Sequence, residues 1–242
     1  MQSVQRILLP GLFVTATDTA VGKTVVAGAI ADWFRRRRKR VGVLKPVATG
    51  CVHRREGLVS EDAEFLAHCA EARFPLDVIC PNRYAEPLAP AVAAERAKVP
   101  VDWEAVARST RMIAAGSDVM IVEGVGGVMV PIDPLHTVLD FARAIELPAV
   151  VVARPGLGTI NHTLLTIAAL RAAGVKIAGV VINRYQPDGA GIAEETNPRM
   201  IEKWGKVPVL CVVPEEKLDG QHLPKGIIAA IETVDWEAVA SR

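Results

Sequence analysis

Short runs of apolar residues recur along the chain, and segments with helical periodicity separate them. Six of these runs are continuous rather than alternating, which is typical of strands that are buried on both faces of a sheet. The predicted strands are residues 7–14, 41–47, 119–122, 149–153, 177–182 and 207–213. The periodic segments predict helices over residues 23–38, 60–72, 103–115, 138–145, 161–173 and 198–204.

Strands that alternate with helices form βαβ units, in which right-handed crossovers join parallel strands. We therefore predict an α/β fold with a mainly parallel sheet of about seven strands and helices on both faces. A chain of 242 residues accommodates one such domain and hardly two, so we expect a single domain over residues 1–242. Residues 76–100 include four prolines and predict irregular structure, which makes this segment a candidate substrate loop.

The balance of charge argues against a polyanionic partner. Lysine and arginine number 28 and aspartate and glutamate number 27, so no overall field favours nucleic acid or an anionic membrane. The basic run at residues 35–40 is interpreted as the solvated C-terminal end of a helix. The four cysteines lack zinc spacing, and no apolar stretch reaches the ~18 residues of a membrane span. We expect a reduced, cytoplasmic protein.

A predicted strand, a loop of small residues and a predicted helix meet in the sequence VTATDTAVGKT, residues 14–24. In a phosphate-binding loop, backbone N–H groups cradle phosphate oxygens, a lysine reaches the β- and γ-phosphates, and the next hydroxyl binds Mg²⁺. Gly22, Lys23 and Thr24 fit these roles. The standard pattern has another glycine at the position of Thr17, which this sequence lacks. The strand before the loop and the helix after it support a P-loop site for ATP and Mg²⁺.

Two carboxylates are candidates for the other protein ligands of the metal. Mg²⁺ usually keeps several waters and takes one or two carboxylates beside the phosphates. Glu123 follows a predicted strand and begins the sequence Glu-Gly-Val-Gly-Gly, whose glycines allow the backbone to approach a ligand closely. Asp62 lies at a predicted helix start, where the sequence is equally consistent with a metal ligand and with a helix N-cap.

Three more polar sites follow predicted strands. Lys45 is expected to be buried, and a buried ammonium group needs an anion, which favours a functional role over a structural one. Asn183 can pair with the N6/N7 edge of adenine, although a turn asparagine fits the sequence as well. Residues 155–162 either bind a carboxylate through free helix N–H groups or form a plain glycine-rich turn. Because these sites all follow strands, we expect them at one edge of the sheet, where open α/β folds bind ligands.

Seven segments together resemble the dethiobiotin synthetase family and span most of residues 12–214. They are VTATDTAVGKT, KPVATG, EDAEF, YAEPLAP, VEGVGG, LGTINHTLLT and VVINRY. The family loop is one residue longer than the standard P-loop, which accounts for the missing glycine. The resemblance implies a P-loop NTPase-like fold and an ATP- and Mg²⁺-dependent ligase of biotin synthesis. Such an enzyme converts 7,8-diaminononanoate (7,8-diaminopelargonic acid) and CO₂ into dethiobiotin, through a carbamate and a carbamic-phosphoric anhydride.

The resemblance also implies a homodimer with the substrate near the subunit boundary, and it implies roles for individual residues. Lys45 and Lys23 would be catalytic, and Asn183 with the loop at Pro214 would hold adenine. The metal ligands would be Thr24, Asp62 and Glu123. The implied substrate contacts are Thr19, Thr49, Pro90, Gly158 and Asn161. The implied nucleotide-site residues are Ala20, Val21, Gly22, Lys23, Thr24, Val25, Asp62, Glu123, Gly124, Val125, Gly126, Asn183, Arg184, Pro214, Glu215 and Glu216.

Three positions depart from the family pattern, since Ala20 and Arg184 replace acidic residues and Ala16 replaces a glycine. These departures bear on substrate contacts and nucleotide affinity rather than on the class of reaction. A ParA/MinD-like switch ATPase is the alternative from another functional class. Its loop carries an additional early lysine, whereas this chain has Thr17-Asp18-Thr19 there. Cobyrinate-type amidoligases have a similar core but need an attached glutamine-hydrolysing domain, for which we expect no room in 242 residues.

Overall fold

The computed structural model describes residues 1, 3–55 and 57–241. In chain order the strands are Gly11–Ala16 (β1), Val41–Leu44 (β2), Val47–Ala48 (β3), Val52–Arg54 (β4), Gly57–Val59 (β5), Asn82–Arg83 (β6), Val119–Gly127 (β7), Ala149–Ala153 (β8), Ile177–Tyr185 (β9) and Val209–Pro214 (β10). The helices are Lys23–Arg36 (α1), Glu61–Ala70 (α2), Leu76–Ile79 (α3), Pro90–Ala97 (α4), Trp103–Ala115 (α5), Val138–Ile145 (α6), Thr159–Ala172 (α7), Ile192–Gly205 (α8), Lys225–Glu232 (α9) and Trp236–Ala240 (α10).

The central sheet has the strand order β10-β9-β8-β1-β7-β2, and every neighbouring pair is parallel. The predicted α/β fold is therefore confirmed, but the expected count of about seven strands is too high. Within the described residues the central sheet has six strands, because the other short strands form two separate two-stranded sheets, β3–β6 and β4–β5.

Alternate residues of the central strand face two different cores. Leu12 and Val14 pack on one face with Ile30 and other residues of α1. Phe13, between them in sequence, packs on the opposite face with Phe141 of α6. All five side chains are fully buried, which explains why the strand reads as a continuous apolar run. The sheet is covered on both faces, as the sequence predicts.

Two predicted segments differ from the structure. Residues 76–100 are not irregular throughout, because they contain α3, β6 and α4, with Pro90 as the first residue of α4. Backbone bonds from Tyr84 N–H to the Ala48 carbonyl and from Cys51 N–H to the Tyr84 carbonyl pair this segment with the chain after Lys45. Helix α8 begins at Ile192, before the predicted start at residue 198, and Pro198 lies inside it.

Two strands extend beyond their predicted ends toward the ligand edge. The predicted strand 119–122 continues to Gly127 and the predicted strand 177–182 continues to Tyr185, so Glu123 and Asn183 lie within β7 and β9 rather than after them. The β1–β7 register shifts between Val14 and Ala16, where Ala16 pairs with Gly127. Strand pairing therefore fixes the backbone at Glu123, which is opposite Val14 of β1.

The basic run at residues 35–40 is held by ion pairs at the end of α1, so it is more than a solvated helix end. Arg36 and Arg37 contact Glu232 of α9 at 2.7 and 2.8 Å. Arg40 contacts Asp118, which precedes β7, at 2.5 Å. Each pair is partly exposed and contributes little singly, but together they tie α1 to its neighbours. In the described part of the chain, no helix is long and apolar enough to cross a membrane.

Candidate functional site

The loop between β1 and α1 turns through Gly22, the N-cap of α1, which has φ of 86°. A side chain here would be strained by that φ, and its Cβ would lie 2.2 Å from Asn183 Nδ2. Asn183 Nδ2 donates a 2.9 Å hydrogen bond to the Val21 carbonyl, which ties the loop to β9. Ala20 also adopts a left-handed conformation, with φ of 59°. The chain therefore turns sharply just before the N-terminus of α1, where Gly22, Lys23 and Thr24 follow one another. Such a turn before a helix N-terminus suits a phosphate group.

A buried lysine and two carboxylates meet beside this loop. Lys45 Nζ donates to Asp62 Oδ2 at 2.7 Å and to Glu123 Oε1 at 2.8 Å. Thr24 Oγ1 of the phosphate loop donates to the same Glu123 oxygen at 2.9 Å. The side chains of Lys45 and Glu123 are 2% and 0% exposed. Residues that are 99 positions apart in sequence are thus joined in one hydrogen-bonded cluster.

The charges in this cluster stabilise one another. Burial lowers the pKa of Lys45, but the adjacent Glu123 and Asp62 carboxylates outweigh this effect and hold that pKa above its usual range. Burial raises the pKa of Asp62, yet Lys45 outweighs it and the pKa lies below its usual range. For Lys23, burial dominates over the attraction of Glu123, so its pKa is lowered. Lys45 and Asp62 are therefore both charged at neutral pH.

The cluster provides oxygen ligands that fit a magnesium ion. Among the described residues, the buried Glu123 Oε2 has no hydrogen-bond partner, so this oxygen is free to bind a cation. The Asp62 side chain is 48% exposed and the Thr24 hydroxyl lies against Glu123. The described residues contain no group of three or more His, Cys, Asp or Glu that could hold a metal. Mg²⁺ takes few protein carboxylates and completes its shell with phosphates and waters, so the oxygens of Thr24, Asp62 and Glu123 are of the kind it binds.

The structure resolves the ambiguity at the start of α2. The Ser60 side chain accepts the backbone N–H of Ala63 at 3.2 Å and is the N-cap of α2. Asp62 is therefore not the cap, and its carboxylate contacts Lys45 instead. Lys45 is buried, as predicted. Its anionic partners are the carboxylates of Asp62 and Glu123. The sequence did not reveal these contacts, because the two carboxylates lie on separate elements.

The residues expected around adenine are brought to β9 and β10, and several of them have protein partners. Asn183 is buried and uses its amide nitrogen for the loop, and among the described residues its Oδ1 accepts no hydrogen bond. Pro214 ends β10, and the Glu215 N–H donates to the Tyr185 carbonyl at 2.8 Å. Glu216 accepts the backbone N–H of Ile227 at the start of α9, a helix contact that sequence reasoning missed.

The remaining nucleotide-site residues line or adjoin the loop. Gly126 has φ of 59°, and a Cβ there would lie 2.7 Å from Val130 and 3.5 Å from the Thr19 hydroxyl. A Cβ at Gly124 would lie 3.0 Å from the Phe13 ring. Val25 and Val125 are half-buried and Val21 is buried. Arg184 follows Asn183 with φ of 63° and is exposed. The end of β7 and the phosphate loop are therefore in contact, as expected for two segments at the same edge of the sheet.

A cavity of about 520 Å³ lies between the phosphate loop, the chain after β7 and one face of α7. Its polar lining consists of residues 17–19 together with His162 and Thr166 of α7. Its apolar lining includes Val128, Met129, Leu165 and Ala169. A larger cavity of about 590 Å³ lies at the opposite edge of the sheet, before β1, β8 and β9, and none of the predicted site residues lines it.

The predicted substrate contacts are spread around this edge rather than gathered in the cavity. Thr19 lines it. Gly158 is the N-cap of α7, with φ of 93°, and Asn161 is exposed in the first turn. Thr49 is half-buried in the segment that pairs with residues 82–86, and Pro90 is buried at the start of α4. Of these five residues, Thr19 alone is among those that line the 520 Å³ cavity.

Comparison with known proteins gives consistent matches over most of the chain. A family model described as an AAA domain matches residues 10–221. The chain is 38% identical over 238 residues to the ATP-dependent dethiobiotin synthetase BioD of Thermodesulfovibrio yellowstonii, covering 96% of this chain and 98% of that protein. It is 42% identical over 207 residues to the protein of the same name from Bacillus cereus (strain ATCC 14579), covering 85% and 84%.

Solved structures show the same fold at low sequence identity. The MinC:MinD cell division protein complex of Aquifex aeolicus matches with a TM-score of 0.57 and 14% identity, covering 96% of this chain and 94% of that one. A ParA family ATPase of Chlorobium tepidum matches with a TM-score of 0.53 and 17% identity, covering 94% and 98%. These likenesses confirm a P-loop NTPase-like fold and carry no statement about function.

Removing the Lys45 charge is expected to destabilise the protein strongly. Lys45→Met leaves the buried Glu123 carboxylate without its ammonium partner, which costs about 3–5 kcal/mol in free energy of unfolding. The double variant Lys45→Met/Glu123→Gln removes both charges and is expected to recover most of that loss. Urea unfolding of the two variants and the wild type measures both effects.

The control for this cycle is Lys39→Met, since the Lys39–Glu237 pair at 3.0 Å is largely exposed and its loss is expected to change stability little. A Lys45→Met protein as stable as Lys39→Met, or a double variant no more stable than Lys45→Met, would contradict the assignment of a buried, mutually dependent pair.

Proposed function

The chain belongs to the dethiobiotin synthetase family, and from this we propose that it is a ligase of biotin synthesis that forms dethiobiotin from 7,8-diaminononanoate, CO₂ and ATP. The observation that carries the proposal is the buried Lys45 cluster beside the phosphate loop. Its two carboxylates hold the Lys45 ammonium group close to the loop proposed to bind the phosphates of ATP. We further propose that residues 1–242 act as a single domain and that the enzyme works in the cytoplasm.

The proposed reaction has three bond-forming steps. One amine of the substrate attacks CO₂ and loses a proton, which gives a carbamate. A carbamate oxygen then attacks the γ-phosphorus of ATP, and ADP leaves. The second amine attacks the carbonyl carbon of the resulting carbamic-phosphoric anhydride, so a C–N bond forms, inorganic phosphate leaves and the amine loses its proton.

Lys45 is proposed to act on the two anions that must meet. The carbamate and the γ-phosphate repel each other, and a cation fixed between them offsets that repulsion as they approach. Lys45 suits this role because two carboxylates hold its ammonium group in place and keep it charged. Lys23 follows Gly22 at the start of α1, so its reach is committed to the β- and γ-phosphates.

Mg²⁺ is proposed to bind to Thr24, Asp62 and Glu123, the side chains that fit it in this structure. When bound, it would neutralise charge on the β- and γ-phosphate oxygens. Glu123 can serve in this way because its Oε2 is buried and unpaired while Oε1 contacts Lys45. Asp62 similarly has one oxygen on Lys45 and an exposed side, so both carboxylates can hold the lysine and a metal together.

The substrate is proposed to lie in the 520 Å³ cavity, where residues 17–19 meet an apolar wall. An aliphatic diamino acid matches this combination, because its chain can contact Val128 and Leu165 while its amines face the loop. The chain is also proposed to form a homodimer through this region. Met129 and Leu165 line this cavity and are 63% and 61% exposed, and Leu157, just before α7, is 89% exposed. Burial of these apolar side chains would favour association.

Phosphate release tests the proposed reaction directly. We expect release of inorganic phosphate from ATP to require both 7,8-diaminononanoate and bicarbonate, and to stop when Mg²⁺ is chelated, because the acceptor carbamate forms only from amine and CO₂. A coupled phosphate assay with each component omitted in turn measures this. Phosphate release at the full rate without the diamine would point to a simple ATPase and reject the proposal.

Light scattering tests the proposed homodimer. The expected mass is twice that of the 25.9 kDa chain, and Leu165→Glu is expected to lower it because a carboxylate in a buried apolar contact is costly. The exposed residue Met112 on α5 offers a matched control, since Met112→Glu should leave the mass unchanged. A fully active monomer at nanomolar concentration would contradict the dimer.

A further inference from the structure

Asn82 is a buried polar residue that the proposed reaction has not used. It is 6% exposed and is the first residue of β6. Its side-chain amide contacts the backbone of two distant segments. Nδ2 donates to the Pro46 carbonyl at 3.0 Å and to the Asp102 carbonyl at 3.4 Å, and Oδ1 accepts the Asp102 N–H at 2.7 Å. Both ends of the amide are therefore in use, and only one orientation of it satisfies these partners.

The Pro46 carbonyl belongs to the residue directly after Lys45, just beyond the end of β2. The pairing of β2 with β7 runs to Leu44, opposite Val122, so Lys45 lies one residue past the paired strand. The Lys45 N–H donates instead to the Ile79 carbonyl at 2.8 Å. Proline has no N–H, so the Pro46 backbone can be held only through its carbonyl. The segment between α3 and β6 therefore clamps the chain on both sides of the Lys45 side chain.

The clamp matters because the Lys45 ammonium group has two partners in fixed places. Its Nζ donates to Asp62 and Glu123 at 2.7 and 2.8 Å, and the lysine side chain is 2% exposed. Pairing of β7 with β1 holds the Glu123 backbone, which would not follow a displaced lysine. Hydrogen bonds weaken as their distances and angles depart from the preferred values. A small shift of the Lys45 backbone would therefore change the place of the ammonium group or break its contacts.

The other end of the Asn82 amide is attached to a rigid element. Asp102 is the N-cap of α5, and its Oδ1 accepts the Ala105 N–H at 2.8 Å. Helix α5 is 13 residues long and buries Val106 and Ile113 against the sheet. Asn82 thus connects the turn after Lys45 to a helix whose own position is set by packing.

We propose that Asn82 is a positioning residue for Lys45, which bridges the Pro46 carbonyl to the start of α5 and so keeps the ammonium group where the carbamate and the γ-phosphate meet. The inference rests on the proposed function, since it assumes the role of Lys45 in that reaction. The Asn82 amide binds backbone groups, so it acts through the lysine and not on a ligand. Loss of the bridge should slow the chemical step more than it weakens ATP binding, because the phosphate loop holds ATP through other residues.

The test measures single-turnover rates and ATP affinity in variants of Asn82. Asn82→Asp keeps the shape and the acceptor for the Asp102 N–H but lacks the amide donor to the Pro46 carbonyl, and Asn82→Ala removes both arms. Each is expected to slow the chemical step about ten- to a hundredfold, as misplacement of a group by about 1 Å does, while the Kd for ATP changes less than about threefold.

A kinetic double-mutant cycle shows whether Asn82 acts through the lysine. In the Lys45→Gln background there is no ammonium group left to misplace, so Asn82→Asp should cause little further slowing. The stability control is Ser117→Ala, which removes a 2.8 Å bond from a buried hydroxyl to the Ile113 carbonyl at the opposite edge of the sheet. This variant is expected to lose stability without slowing the chemical step.

The outcomes separate this inference from the proposed function. A wild-type chemical step in the Asn82 variants, or losses that multiply with that of Lys45→Gln, would overturn the positioning role and leave the reaction intact. Wild-type enzyme that releases no phosphate with the diamine and bicarbonate would contradict the proposed function itself. Circular dichroism melting checks that each variant is folded, and Asn82→Ser, whose hydroxyl is too short to span both arms, replaces any variant that melts below the assay temperature.

Discussion

The Lys45 ammonium group lies out of water between the carboxylates of Asp62 and Glu123, at 2.7 and 2.8 Å. Withdrawing such ions from water costs several kcal/mol each, so each charge is tolerable only while the others stay in place. Lys45 follows β2, Asp62 is in the first turn of α2, and Glu123 lies within β7. Their electrostatic dependence therefore fixes α2 against the sheet edge and gives the site one arrangement before any ligand arrives.

In this arrangement each carboxylate uses only one of its two oxygens to bind Lys45. The second Glu123 oxygen is buried without a partner in the described residues, and the Asp62 side chain keeps an exposed side. A cation and a phosphate chain can therefore enter without dismantling the lysine contacts. The Asn183 bond to the Val21 carbonyl similarly holds the phosphate loop in advance. Groups that are already in position need little reorganisation during reaction, which is the main source of electrostatic catalysis.

The sequence predicts this edge well because hydrophobic runs and the GKT loop are local signals. Burial of Lys45 also follows from its place after a strand. Other features depend on contacts between distant segments. The β3–β6 pairing organises residues 76–100. The Asn183 bond to the phosphate loop depends on the end of β9 lying next to Val21, 162 positions earlier in the chain. At α2, Ser60 and Asp62 are both good caps by composition, and only the position of Lys45 decides between them.

The central claim is that Lys45 acts on the transferring groups and not merely on nucleotide binding. Single-turnover kinetics of Lys45→Gln, combined with an independent ATP-binding titration, tests it most directly. A fixed cation of this kind typically contributes about 3 to 4 kcal/mol, so the chemical step should slow by about 10² to 10³ while ATP affinity changes much less. An undiminished chemical step, or a loss that appears wholly in ATP affinity, would contradict the account.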